Sequence, residues 1–141
     1  MTIAWCGKLR ALPRGLGKLG ALTQLTLWQL HELQEMPDLL GLTALGSLTI
    51  QGCNKLKTLL RGLGKLGALT QLTLCQLHEL QEMPDLIGLT ALGSLTIGNC
   101  GKLRALPRGI GKLGALRELT LRSLNELQEM PDLIGLTALG S

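Results

Sequence analysis

The spacing of apolar residues changes along the chain in a fixed order. Leu72-Thr73-Leu74 alternates apolar and polar, as a short strand with one buried face does, and Leu77, Leu80 and Met83 then recur at every third residue. The same order fills a 24-residue segment, Leu45 to Ala68, and the 23-residue segment that follows, Leu69 to Ala91. No 3.6-residue periodicity lasts long enough for a helix to stand alone. Gly62-Leu63-Gly64 and Met83-Pro84-Asp85 interrupt the path back to the next strand, which predicts turns and single-turn 3₁₀ segments there.

A longer and a shorter segment together make 47 residues, and the 141 residues are three near copies of that pair, 1–47, 48–94 and 95–141. A unit of ~23 residues cannot close a core, so its apolar stripe must be covered by the same stripe in the next unit. Six stacked units then form one domain over 1–141, with strands about 4.8 Å apart in a parallel sheet. The return segments are wider than a strand, which bends the stack with its sheet inside.

Written as a motif, each unit reads LxxLxLxxCxxLxxLPxxLxxL, with Cys6, Cys53 and Cys100 at the Cys place and Leu12-Pro13 and Leu106-Pro107 at the Leu-Pro step. This resembles the leucine-rich repeat, over the whole chain. The resemblance implies an α/β solenoid: a right-handed curved stack, a parallel sheet on the concave face, and turns or short 3₁₀ segments on the convex face. Within that class the Cys and Leu-Pro places look most like the repeats that follow the nucleotide-binding module of plant-type immune receptors. Leu60 replaces the Pro of the middle copy, the shorter halves carry Leu at the Cys place, and no nucleotide-binding module is present. The closeness of the copies also fits an engineered or recently duplicated array.

Composition narrows the core further. The chain has 39 Leu, two Trp and no Phe, Tyr or Val, so one side-chain type fills nearly every apolar place and the core must itself be repetitive. No apolar run approaches the roughly 18 residues that span a bilayer, and Met1 leads directly into repeat sequence without the features of an export signal. The expectation is a cytoplasmic protein with no membrane partner.

A net charge of +4 raises nucleic acid as a partner, and the distribution of charge lowers it again. Twelve of the 14 basic residues, Lys8, Arg10, Arg14, Lys18 and their copies at 55, 57, 61, 65, 102, 104, 108 and 112, lie in longer halves, whereas every acid lies in a shorter half. Lys8, Glu32, Lys55, Glu79, Lys102 and Glu126 share one column, and Arg14, Asp38, Arg61, Asp85, Arg108 and Asp132 another. Opposite signs alternate along the stack, each basic residue has acidic neighbours on adjoining units, and little net field projects outward. No nucleic-acid partner is expected. A slip by one unit would set like charges side by side, which gives the double repeat a physical reason.

The polar residues offer no chemistry of their own. Cys6, Cys53 and Cys100 recur two units apart, about 10 Å, beyond the ~7 Å that a disulfide bridges, and read as buried thiols at the turn after the strand. They suit a reducing compartment. Cys75-x-x-His78 has no second pair to complete a metal site, so Cys75 reads as an exposed thiol beside a surface His. His31 and His78 give way to Asn125 in the third copy, Ser47, Ser94 and Ser141 have no nearby His, and Gly-x-Gly at 15–17, 62–64 and 109–111 precedes no long helix. No catalytic residue, cofactor or metal is expected, and the chain reads as no enzyme.

Copies under one packing demand differ where packing does not decide. The Leu columns barely change, while many of the differing columns point out of the sheet: Trp28, Cys75 and Arg122; Trp5 and Asn99; Gln51; Gln24, Gln71 and Glu118; Gln29 and Gln76. The resemblance implies that this concave surface meets a protein or peptide, and both Trp residues stand there on adjacent units. Against this stands simple drift of unconstrained positions. The alternative reading is a designed or duplicated array with no ligand, whose main property is head-to-tail self-assembly. Both ends, Met1-Thr2-Ile3 and Leu139-Gly140-Ser141, lack dedicated cap sequence, and joined they regenerate the repeat.

Overall fold

The computed structural model describes residues 1–60 and 62–140; Arg61, a member of the second charge column, and Ser141, the last of the repeated serines, lie outside the described residues. Six strands form one parallel sheet in chain order: β1 (Thr2–Ala4), β2 (Gln24–Trp28), β3 (Ser47–Gln51), β4 (Gln71–Cys75), β5 (Ser94–Gly98) and β6 (Glu118–Arg122). Equivalent residues pair, Thr26 with Thr49, Thr49 with Thr73, Thr73 with Thr96, so the sequence columns are physical rows across the sheet.

Alternation within each strand separates core from surface. Leu25, Leu27, Leu48, Ile50, Leu72, Leu74, Leu95 and Ile97 are fully buried. Behind them the third-residue leucines, such as Leu77, Leu80, Leu86, Leu89 and Leu92, complete one continuous cluster. Among the described residues no polar or charged residue is buried. Burying a Leu removes enough apolar surface from water to contribute about 1.5–3 kcal/mol, and here that gain comes from neighbouring turns. Leu119 and Leu121 on β6 are only partly buried, since turn six has a neighbour on one side.

Backbone hydrogen bonds extend the ladder beyond both ends of the strands. Ahead of them, Gly46 donates to Thr23, Thr70 to Gly46, Gly93 to Thr70, Arg117 to Gly93 and Gly140 to Arg117, at 2.8–2.9 Å. Behind them, the amides of Trp5, Gln29, Gly52, Gln76 and Asn99 donate to the carbonyl that ends the next strand, at 2.9–3.1 Å. These five residues and Ser123 all have positive φ, between 53° and 74°. That left-handed step keeps the amide on the ladder while it turns the chain off the sheet.

The return paths differ in the two halves. The longer halves carry the expected 3₁₀ segments, Arg14–Lys18, Leu63–Lys65 and Ile110–Lys112. The shorter halves carry none among the described residues. There Asp38, Asp85 and Asp132 each accept, through Oδ1, the amide N–H two residues on at 2.9 Å, a side-chain turn that follows Met-Pro. The aspartates of the second charge column thus hold turns, and among the described residues they form no ion pair.

Candidate functional site: the open face of the sheet

Three outward rows line the open face: Gln24, Ser47, Gln71, Ser94 and Glu118; the six threonines from Thr2 to Thr120; and Ala4, Trp28, Gln51, Cys75, Gly98 and Arg122. The left-handed residues form a fourth row along its rim. Gln24, Gln71, Glu118 and Arg122 are exposed, and Gln29, Gln51, Gln76 and Asn99 half-buried.

Trp5 and Trp28 come together. The left-handed backbone of Trp5 and the outward direction of Trp28 on β2 place their ring centroids 5.1 Å apart at an interplanar angle of 52°, within the tilted geometry that aromatic pairs favour. Trp5 is 67% exposed and Trp28 39%. Two large apolar rings thus cover each other only in part, on a sheet otherwise lined by Thr, Gln and Ser.

Cys75 corrects the expectation of an exposed thiol, being buried. Gly98, its neighbour on β5, leaves a gap across which Arg122 lies: a side chain at residue 98 would meet Arg122 Nε at 3.0 Å and Cys75 Sγ at 3.5 Å. Arg122, two strands away from Cys75, takes the volume that Gly98 does not fill. The other cysteines also divide. Cys53 and Cys100 are buried as expected, with desolvation raising both thiol pKa values, and Cys100 Sγ donates to the Gly98 carbonyl at 3.4 Å. Cys6 is exposed, contrary to expectation, because turn one has a neighbour on one side only.

The first charge column pairs in one direction. Lys55 donates to Glu32 at 2.7 Å and Lys102 to Glu79 at 2.9 Å, and these are the ion pairs among the described residues. Each runs from a longer half back to the shorter half before it, where a neighbour on both sides was expected. The hydrogen bond from lysine is the main cause that holds Glu32 and Glu79 below the ordinary glutamate pKa. Asn54 Nδ2 lies 3.1 Å from His31 Nδ1, a contact the sequence did not announce. Next to it Gln34, Glu35, Asn54, Lys55, Lys57, His78 and Glu79 line an open groove of about 680 Å³ whose mixed signs favour no one ion.

Among the described residues no group of His, Cys, Asp or Glu is arranged to hold a metal ion, and no helix is long and apolar enough to cross a membrane. No protein-family model and no curated protein matches the chain. A solved structure does: the leucine-rich repeat domain of the type III effector XopL, with a TM-score of 0.81 and 31% identity over 96% of this chain. The fold is the leucine-rich-repeat stack. The chain spans about half of that structure, 48% of its length. In this solenoid the open face just described is the concave one, and the side bearing the 3₁₀ segments and Asp turns is convex.

Proposed function

We propose that the solenoid is a non-enzymatic binding scaffold that takes a protein or peptide on its concave sheet, with the Trp5–Trp28 pair as anchor. The observation that carries this reading is the exposure of that pair. Burying two indoles is a large source of contact energy, the rigid ladder beneath them needs little ordering, and the Thr, Gln and Ser rows supply hydrogen-bonding groups around them. Gln24, Gln29, Gln51, Gln71, Gln76, Asn99, Glu118 and Arg122 extend the contact, while Cys75 lies beneath it. Similarity of the Cys and Leu-Pro places to plant-type receptor repeats supports the same use of the face. Four free thiols fit a reducing compartment such as the cytoplasm. Nucleic acid is not the expected ligand, because the concave rows hold one basic residue, Arg122, and one acid, Glu118.

The test is selection of binders from a displayed peptide library on the immobilised chain. Trp5→Ala combined with Trp28→Ala should weaken the selected peptides at least about tenfold, whereas Lys65→Ala on the convex side should leave them unchanged. Equal affinities for the two variants would move the site off the concave face.

A further inference from the structure

Turn three, the unit that carries β3, is joined to its neighbours differently from its copies. A second ladder runs along the flank that follows the strands. In the first copy the Gln34 amide donates to the Arg10 carbonyl at 3.0 Å; in the third, Arg104 donates to Gln81 at 3.4 Å and Gln128 to Arg104 at 3.1 Å. Parallel bridges join Ala11 to Glu35 and Ala105 to Glu129 there. The middle copy interrupts this ladder. Among the described residues, Lys57, Thr58, Leu59 and Leu60 make no backbone hydrogen bond to turn two or turn four.

The sequence supplies a cause. Pro13 and Pro107 hold the residue before each of them extended, as a ladder requires, whereas Leu60 stands at that place in the middle copy and leaves Leu59 unrestricted. Leu59 and Leu60 both pack into the core, each 6% exposed. The flank opens around them. The groove that Lys57 shares with Gln34 and His78 holds about 680 Å³, against about 240 Å³ at the same place one double repeat on. The next one, between Met36 and Leu59, holds about 530 Å³, against about 360 Å³. A third, of about 320 Å³, lies between Leu59 and Met83 on the other side of the segment.

We propose that this flank is a binding site for a short extended peptide carrying a Lys or Arg followed by an apolar residue, seated over residues 57–60 between turns two and four. Those turns stand two ladder spacings apart, roughly 10 Å, which is the room one extended strand needs. Their facing main-chain groups match such a strand. The Gln81 amide and the Gln34 carbonyl have no partner on turn three, so one peptide residue can donate to Gln34 and accept from Gln81, as Arg104 donates to Gln81 and accepts from Gln128 in the third copy. The next peptide residue then stands over Thr58 between Glu35 and Glu82, both exposed and, among the described residues, in no ion pair. Lys57, the cation nearest to them in the chain, is among the charges that stabilise ionised Glu79. A basic side chain is therefore the complement of the two carboxylates, and the apolar residue after it covers Leu59 between Met36 and Met83. The site uses neither tryptophan and is independent of concave binding.

The experiment is fluorescence anisotropy of the 141-residue chain with a fluorescein-labelled peptide, Thr-Val-Lys-Leu-Thr with a blocked C-terminus, and with its counterpart carrying Glu in place of Lys. The expected result is saturable binding of the first below millimolar concentration and at least tenfold weaker binding of the second. Leu60→Pro, which gives the middle copy the residue of the other two, should weaken the Lys peptide at least tenfold, and so should Glu35→Gln combined with Glu82→Gln, two exposed changes that leave the core alone. Circular dichroism verifies that each variant folds. Trp5→Ala combined with Trp28→Ala should leave binding unchanged, and the bound peptide should slow hydrogen exchange at the Gln81 amide. No binding at millimolar peptide, equal binding of the Glu counterpart, full affinity in either flank variant, loss of affinity in the tryptophan variant, or unchanged exchange at Gln81 would each overturn the proposal.

Discussion

The carbonyl oxygen of Gly64 sits where a side chain on residue 88 would have to stand. Turns three and four therefore approach more closely than any Cβ allows, and both positions are closed to every other residue. Gly88→Ala should cost about 1–3 kcal/mol as the turns are forced apart. Gly67→Ala, in open space on the same return path, should cost almost nothing. Urea unfolding of the two variants is the measurement, and equal midpoints would mean the turns are free to separate.

The inward and outward rows should differ as sharply. Leu72 is fully buried in the middle of the stack, so Leu72→Ala should cost about 2–5 kcal/mol through lost transfer energy and the cavity left behind. Thr73, on the same strand with the opposite direction, should tolerate Ala. Thermal melts of the two variants decide it, and a similar loss from both would reverse the faces.

Thiol chemistry should distinguish the four cysteines. Cys6 is exposed, while Cys53, Cys75 and Cys100 are buried, and desolvation raises the pKa of Cys53 and Cys100. The folded chain should give one fast-reacting thiol with a disulfide reagent at neutral pH, the rest following only as it unfolds. Arg122→Ala should make Cys75 the second fast thiol, because it removes the side chain lying across Gly98.

The lysine–glutamate pairs make a pH-dependent contribution whose sign follows from the depressed carboxyls. With the folded pKa of Glu79 below its ordinary 4.5, the stabilisation is full above 4.5 and is lost as pH falls through the folded value. Glu79→Gln should therefore lower the melting temperature at pH 7, and the difference should shrink at pH below 4.5. Salt should shrink it too, since the pair is exposed. A difference that persists in acid would assign the effect to something other than charge.

The Leu72-Thr73-Leu74 alternation was enough to read the strand, its buried face and the stacking of the whole chain, because one residue type obeys one packing rule in every copy. The concave face was harder. Gly52 and Asn99 share a column and are the two residue types that best accept positive φ, a signal for the left-handed row that reads equally well as variation at an interface. The burial of Cys75 depends on Gly98 and Arg122 acting together across two strands, a three-body arrangement that no single column displays. Column order also places Lys55 between Glu32 and Glu79 without saying which it reaches; the rotation of its side chain decides that.

The outward rows share no side-chain volume with the leucine ladder beneath them, since strand alternation sends the two sets in opposite directions. Substitutions at positions such as Gln51 or Gln71 can accumulate without drawing on the stability that Leu48 and Leu72 supply. Selection for a new partner could thus rewrite one row after another while the chain goes on folding, and duplication of 47 residues would lengthen the writable surface without any new solution to the packing problem.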